Sequence, residues 1–269
     1  MNTTPGVRWF FRGSSSLVLA FMYAPLFVVA ILSFNDSTSL TWPPKGFTLK
    51  WWTKAFHNQG ARDALVNSLK VATGATVVAL VLGTMAAMAV QRFRFFGRDT
   101  ISLLIVLPIA LPGIVTGIAL NAAFTSVGIE FGFITLIIAH ATFCIVVMYN
   151  NVLARLRRMS PNLEEASADL GGDAFQTFRL VTFPLMRSAL LAGALLAFGL
   201  SFDEIVVTTF TSAPGLETLP LWIFNNLSRG DQQPIVTVVA TAVMVLSIVP
   251  VWAAQRLTGE AGAVAGGAR

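Results

Sequence analysis

"EEASADLGGDAFQTFRLVTFP", Glu164 to Pro184, is the most polar passage in a chain with only 12% charged residues and 55% hydrophobic ones. Its punctuation is readable residue by residue. Ser160 followed by Pro161, with Glu164 and Glu165 in the first turn, marks a helix start: a capping hydroxyl, a proline at the first helical position, and acids on the positive end of the dipole. Gly171 and Gly172 then stop the helix. Asp173, three residues before Gln176, is placed to cap a second short helix through a capping box. Phe175 and Phe178 lie three apart and share a face, leaving two aromatic knobs on a polar segment. Two readings compete for this geometry. It is either an amphipathic helix pair lying on a membrane surface beside Arg155, Arg157, Arg158 and Arg179, or a docking element whose acids and knobs meet a groove on another subunit.

Around this passage the chain is apolar enough to place it in a bilayer. Six spans can be drawn, at 16 to 34, 66 to 90, 100 to 124, 132 to 153, 185 to 210 and 234 to 255, each near the roughly 20 residues a bilayer requires. An even number puts both termini on one side. If that side is the cytoplasm, twelve basic residues lie inside (Arg8, Arg12, Arg92, Arg94, Arg98, Arg155, Arg157, Arg158, Arg179, Arg187, Arg256 and Arg269). Six lie outside: Lys45, Lys50, Lys54, Arg62, Lys70 and Arg229. The excess follows the positive-inside tendency, so 164 to 184 is expected to face the cytoplasm. The formal charge of +5 sits in clusters beside apolar runs rather than on one stripe, which reads as topology and not as a nucleic-acid surface. Arg8 and Arg12 precede "LVLAFMYAPLFVVAILSF" in the manner of a signal peptide, but no small-x-small cleavage pattern follows, and the run reads as an uncleaved first span. The single cysteine, Cys144, excludes an internal disulfide and a thiolate metal cluster.

The loop after the first span holds "LKWWTKAF", a candidate short helix with tryptophans at headgroup level. Pro108, Pro112, Gly113 and Gly117 predict a kink and a close backbone approach in the third span. No internal repeat or linker divides the chain, so residues 1 to 269 read as one membrane domain. Ionisable residues within a span are costly, about 2.5 to 3.5 kcal/mol for an Asp at the centre, and therefore point to function. "AFGLSFDEIVVTTF" places Asp203 and Glu204 side by side in the outer half of the fifth span. On a continuous helix Glu204 shares its face with Gly193, Ala197, Ser201 and Thr208, which puts it nearer a solute pathway than Asp203. If the span ends sooner, the pair simply meets water. His140 reads as a hydrogen-bonded packing residue, and Asn67, Asn121, Asn150 and Asn151 as interhelical or interfacial partners. Paired catalytic carboxylates, a metal-ligand cluster, a nucleophile-base arrangement and a P-loop are all missing from the sequence, so no catalysis, metal or cofactor is expected of this chain.

The passage from Glu165 to Pro184 resembles the EAA loop of ABC-transporter permeases: Glu-Ala-Ala, three residues, Gly, nine residues, then Ile-x-Leu-Pro. This chain supplies Glu165, Ala166, Ser167, Gly171, Val181, Phe183 and Pro184 at that spacing, with Ser for the second Ala, Val for Ile and Phe for Leu. The resemblance implies an all-α, six-span permease of the type I importer kind, with a cytoplasmic coupling loop over about 160 to 184. It also implies that Glu165, Ala166, Gly171, Phe175, Phe178 and Pro184 meet an ATP-hydrolysing subunit. "SFDE" and the "LP" before an aromatic in "APGLETLPLWIFNNLSRG" are similar to the spermidine/putrescine permease subfamily. By that similarity Ser201, Asp203 and Glu204 would line a polyamine route, and Trp51 would contact the cation through its ring. One departure is Gly113, which stands where polyamine-moving relatives often carry an acid.

The expected assembly is a permease in a bacterial cytoplasmic membrane with both termini cytoplasmic. It joins a second permease, an ATP-binding subunit dimer and an extracytoplasmic solute-binding protein, with lipid around it. A permease for another solute, or an ion-coupled transporter using Asp203 and Glu204, are the alternatives.

Overall fold

The computed structural model describes residues 5–160 and 162–248. Among them the chain is helical, and the one β pairing is an isolated bridge between Asn35 and Phe47. This bears out the all-α membrane expectation. The helices are α1 (Pro5–Leu32), α2 (Lys50–His57), α3 (Gln59–Arg92), α4 (Arg98–Ala110), α5 (Gly113–Val127), α6 (Phe133–Leu156), α7 (Asn162–Asp169) and α8 (Ala174–Thr177). A π-helical turn (Phe178–Thr182) leads into α9 (Phe183–Phe202), followed by α10 (Val206–Thr211), α11 (Leu219–Leu227) and α12 (Gln233–Ile248). The cap expected from Pro161, the topology cations Arg256 and Arg269, and the end of the sixth span lie outside the described residues.

The described residues divide into two compact units, one of residues 5–62 and 223–248, the other of residues 63–222. In the larger unit α6 is the central helix. It buries Leu136, Ala139, His140, Cys144, Met148, Tyr149 and Val152. Between lipid-soluble helices there is little hydrophobic gain from association, so close packing of small residues and interhelical hydrogen bonds must hold the bundle. Both are present. α6 and α9 run antiparallel, and their contacts step by four residues along each helix: Met148 against Gly193, the Cys144 thiol donating to the Ala197 carbonyl at 3.3 Å, and His140 against the Ser201 hydroxyl at 2.8 Å. A methyl group on Gly193 would lie 2.6 Å from the Met148 sulfur. α3 approaches α6 in the same way through Gly74 at Ile137 and Gly83 at Met148.

Two of the expected spans are broken. The third is α4 and α5, bent by 108° about Leu111 and Pro112. Proline forces the preceding residue out of the α region, and here the change of direction far exceeds a kink. The approach expected at Gly117 is present, since an added Cβ there would meet Phe210 at 2.7 Å. The fifth span is not the continuous helix of 185 to 210. It begins early, with α8, the π-helical turn and α9 forming one apolar helix over Ala174–Phe202, and stops at Asp203. The π-helical turn lies directly before Pro184, whose ring would clash with the carbonyl four residues back in a regular helix.

In the smaller unit, α1 is apolar and leaves its side chains uncovered within this chain, as a lipid- or partner-facing span does. The loop after it is ordered around Asn35, 2% exposed, whose Oδ1 accepts from Ser37 N and Lys45 N at 3.2 Å each. α2 carries Trp51 and stacks Trp52 on Phe34 with ring centroids 5.3 Å apart. α12 buries Ile235, Val236, Thr237, Val238 and Thr241.

Candidate functional site

The glycine-broken pair forms as its residues dictate. α7 carries Glu164 and Glu165 in its first turn. It ends at Gly171, whose φ of +82° is a left-handed conformation that costs other residues about 1–2 kcal/mol. Gly172 is needed for a different reason: a Cβ there would lie 2.8 Å from the Ser167 carbonyl oxygen. Asp173 makes the expected capping box, its carboxylate accepting from Gln176 N at 2.8 Å while Gln176 Oε1 accepts from Asp173 N at 3.1 Å. Ser167 and Thr177 share a hydroxyl hydrogen bond of 2.9 Å that ties α7 to α8.

The outward face of this elbow presents Glu165, Ala166 and Gly171. Phe175 is 69% exposed and Leu170, just past the end of α7, is 91% exposed, a second apolar knob that sequence reasoning passed over. Phe178 is only half exposed and leans on Phe183, ring centroids 6.1 Å apart, so the two phenylalanines do not act as equal knobs. Pro184 lies on the surface just past the π-helical turn. Glu164 faces the other way. Its Oε1 pairs with the Arg92 guanidinium and accepts from the Thr182 hydroxyl at 2.8 Å.

The second candidate region is the break between α9 and α10. Asp203 closes α9 and its side chain is exposed, with no hydrogen bond or ion pair among the described residues. Glu204 opens α10: its Oε1 accepts from Val207 N at 2.8 Å, serving the unpaired donors of the new helix start. The stripe of Gly193, Ala197, Ser201 and Thr208, on which Glu204 was placed nearer the pathway, is packed against α6 rather than lining open space. Sharing that face requires a continuous helix, and the chain breaks between Phe202 and Val206.

What holds the break is a directed chain of hydrogen bonds. The Thr208 hydroxyl donates to the Glu204 carbonyl at 2.8 Å, so it must accept from His140 Nε2 at 2.9 Å. His140 Nδ1 is then free to accept from the Ser201 hydroxyl at 2.8 Å. His140 and Thr208 are fully buried and Ser201 is 3% exposed, and each of these three side chains has a hydrogen-bond partner. The packing role expected of His140 is what is found. Asn121 bridges α5 and α10, donating to Phe210 O at 2.6 Å, and Asn67 ties α3 to the loop before α11, donating to Glu217 O at 3.0 Å, whereas Asn151 bonds within its own helix to Val147 O.

Gly113 opens α5 within 3.5 Å, measured from an added Cβ, of Val206 in the first turn of α10. Gly113 therefore adjoins the Asp203–Glu204 break. Trp51 is buried at 6% exposure, and the ammonium groups of Lys50 and Lys54 lie 4.9 and 4.8 Å from its ring centroid. The ring thus already attracts two cations of its own chain. The described residues contain no cluster of metal-ligating groups.

The arrangement is a bundle with an acid at a helix break and a polar elbow apart from it, and the described residues contain no metal-ligating cluster. The family model for the binding-protein-dependent transport system inner membrane component matches residues 79–259. The chain is 34% identical over 253 residues to the spermidine/putrescine transport system permease protein PotC of Haemophilus influenzae, covering 93% of this chain and 97% of that one. It is 33% identical over 253 residues to the putrescine transport system permease protein PotI of Escherichia coli, covering 91% and 89%. A crystal structure of a bacterial ABC transporter that imports the acidic polysaccharide alginate has the same fold, with a TM-score of 0.71 at 18% identity over 97% of this chain and 99% of that one. Matched over two thirds of its length, this chain belongs to the family of binding-protein-dependent transport system inner membrane components.

Proposed function

We propose that this chain is the permease subunit of an ATP-driven importer for polyamines such as spermidine and putrescine, or for a related cationic amine. It works in a bacterial cytoplasmic membrane with both termini inside. It is a non-catalytic subunit, and ATP hydrolysis is supplied by a partner. A second permease, an ATP-binding dimer and an extracytoplasmic solute-binding protein complete the assembly. All of residues 1 to 269 form one functional membrane domain.

The observation that carries the reading is the pairing of two features in one catalytically silent chain: an EAA-type elbow with an outward carboxylate, and an uncommitted acid at a helix break. Glu165, Ala166, Gly171 and Pro184, with Phe175 and the half-covered Phe178, form the surface that seats in the ATPase. Asp203 meets the amine most directly, Glu204 adds charge while capping α10, and Ser201 holds the break through His140. An amine reaching the Trp51 ring displaces Lys54 or Lys50 from it. The polyamine names of the relatives support the solute class, because ionised carboxylates beside a water-filled route favour cations.

Uptake of labelled putrescine or spermidine into proteoliposomes holding the whole importer tests this. Asp203→Asn should raise the KM for uptake with assembly intact; an unchanged KM rejects the acid as a solute contact. Glu165→Lys or Gly171→Pro should abolish association with the ATPase or its stimulated turnover. Intact coupling in both variants rejects the elbow assignment.

A further inference from the structure

The family motif accounts for Glu165 but not for its neighbour Glu164, nor for Thr182 at the variable position of the motif, nor for Arg92 more than seventy positions earlier in the chain. The fold brings these three together. Arg92 is the last residue of α3, Glu164 lies in the first turn of α7, and Thr182 ends the π-helical turn. Arg92 Nη2 donates to Glu164 Oε1 and, at 3.2 Å, to Thr182 Oγ1, while the Thr182 hydroxyl donates to the same Glu164 oxygen at 2.8 Å. The three bonds close a triangular ring in which Arg92 donates twice, the Glu164 oxygen accepts twice, and the Thr182 hydroxyl accepts once and donates once. Thr182 is fully buried, and the Arg92 and Glu164 side chains are only 29% and 34% exposed. The pair is therefore less screened than a surface ion pair, and a guanidinium fork suits a contact that must serve a carboxylate and a hydroxyl at once.

We propose that Arg92 is a positioning residue that clasps the coupling elbow to the end of α3, so that displacement of the elbow is delivered to the second span as well as to the fifth. The inference rests on the reading of 160 to 184 as the coupling loop. Neighbours on an α-helix point about 100° apart, and α7 uses this to divide two adjacent acids: Glu165 outward for the ATPase, Glu164 inward for the clasp. The elbow already moves with the fifth span, because α8 continues through the π-helical turn into α9 as one helix. It moves as a body, because Ser167 ties α7 to α8. The α3 end has no such covalent continuity with the elbow, and the Arg92 ring is the described side-chain tie between them. The π-helical turn belongs to the same device, since it sets the position of Thr182 just before Pro184 and presents its hydroxyl to the acid.

The test is the number of labelled spermidine molecules delivered per ATP hydrolysed by the complete importer in proteoliposomes, read together with co-purification of the ATPase. Arg92→Gln and the near-isosteric Thr182→Val should both keep the ATPase bound and turning over, while solute per ATP falls about threefold or more. Glu164→Arg should be worse, and the exchanged pair Arg92→Glu with Glu164→Arg should recover part of the ratio. Parental stoichiometry in Arg92→Gln and Thr182→Val overturns the proposal. Loss of ATPase association in those variants also overturns it, because it makes the ring a simple structural staple. Glu165→Lys is the control: if that variant remains fully associated and coupled, the coupling-loop reading has failed, whatever Arg92 does.

Discussion

Replacing Thr208 by Val exchanges a hydroxyl for a methyl at nearly constant volume, in a site that is fully buried. In the parent chain that hydroxyl accepts from His140 Nε2 at 2.9 Å and donates to the Glu204 carbonyl at 2.8 Å. The valine leaves the imidazole N–H facing a methyl in a dry interior. An orphaned buried donor costs about 1–3 kcal/mol, more than the ~0.6 kcal/mol average of an interhelical hydrogen bond in a membrane bundle, since here one partner is removed and the other kept. At roughly 2–4 °C per kcal/mol, the midpoint of thermal unfolding should fall by several degrees. Thr208→Ser, which keeps the hydroxyl, should stay close to the parent. The sharper expectation concerns the double variant His140→Leu with Thr208→Val, in which both partners become apolar: its loss should be clearly smaller than the sum of the single losses. Midpoints measured on the detergent-solubilised importer decide the matter. Equal midpoints for Thr208→Val and Thr208→Ser, or strict additivity in the double variant, would refute the directed chain through His140.

Three further outcomes follow from single contacts. Gly171→Ala places a side chain at a φ of +82° and should weaken the elbow by about 1–2 kcal/mol, read as faster limited proteolysis between α7 and α8. Asn121→Leu removes the 2.6 Å bond to Phe210 O and leaves that carbonyl without it, so in this partly buried site it should cost about 1 kcal/mol of thermal stability, with uptake selectivity retained. Glu204→Gln keeps an oxygen able to accept from Val207 N but loses its charge, so assembly and stability should hold while uptake of a divalent amine falls more than that of a monovalent one.

The elbow was legible because its signals are local. Asp173 with Gln176, and the paired Gly171 and Gly172, state a cap and a stop within a few residues, and the structure uses each as written. The bundle was legible as apolar length. Breaks inside spans were not, because hydropathy averages over a window and does not register where the backbone changes direction. Pro112 announces a bend without its 108°. Asp203 and Glu204 lie between apolar neighbours, so the run reads as one helix; only the carboxylate of Glu204 capping Val207 shows that a new helix starts there. The side chains that meet at the clasp were counted singly, Arg92 as a topology cation and Glu164 as a first-turn acid. No local pattern joins positions 92, 164 and 182. His140 was assigned correctly as packing, but its partners Ser201 and Thr208 lie 61 and 68 positions away and come from a helix pair whose break was itself unreadable.

The most direct test of the account is solute accumulation against a gradient in proteoliposomes, measured with and without the ATP-hydrolysing partner. Accumulation of labelled putrescine should require the partner, ATP and the loaded binding protein together, and should stop when Glu165→Lys disables the elbow. Uphill uptake by this chain alone, powered by a proton or sodium gradient, would contradict it.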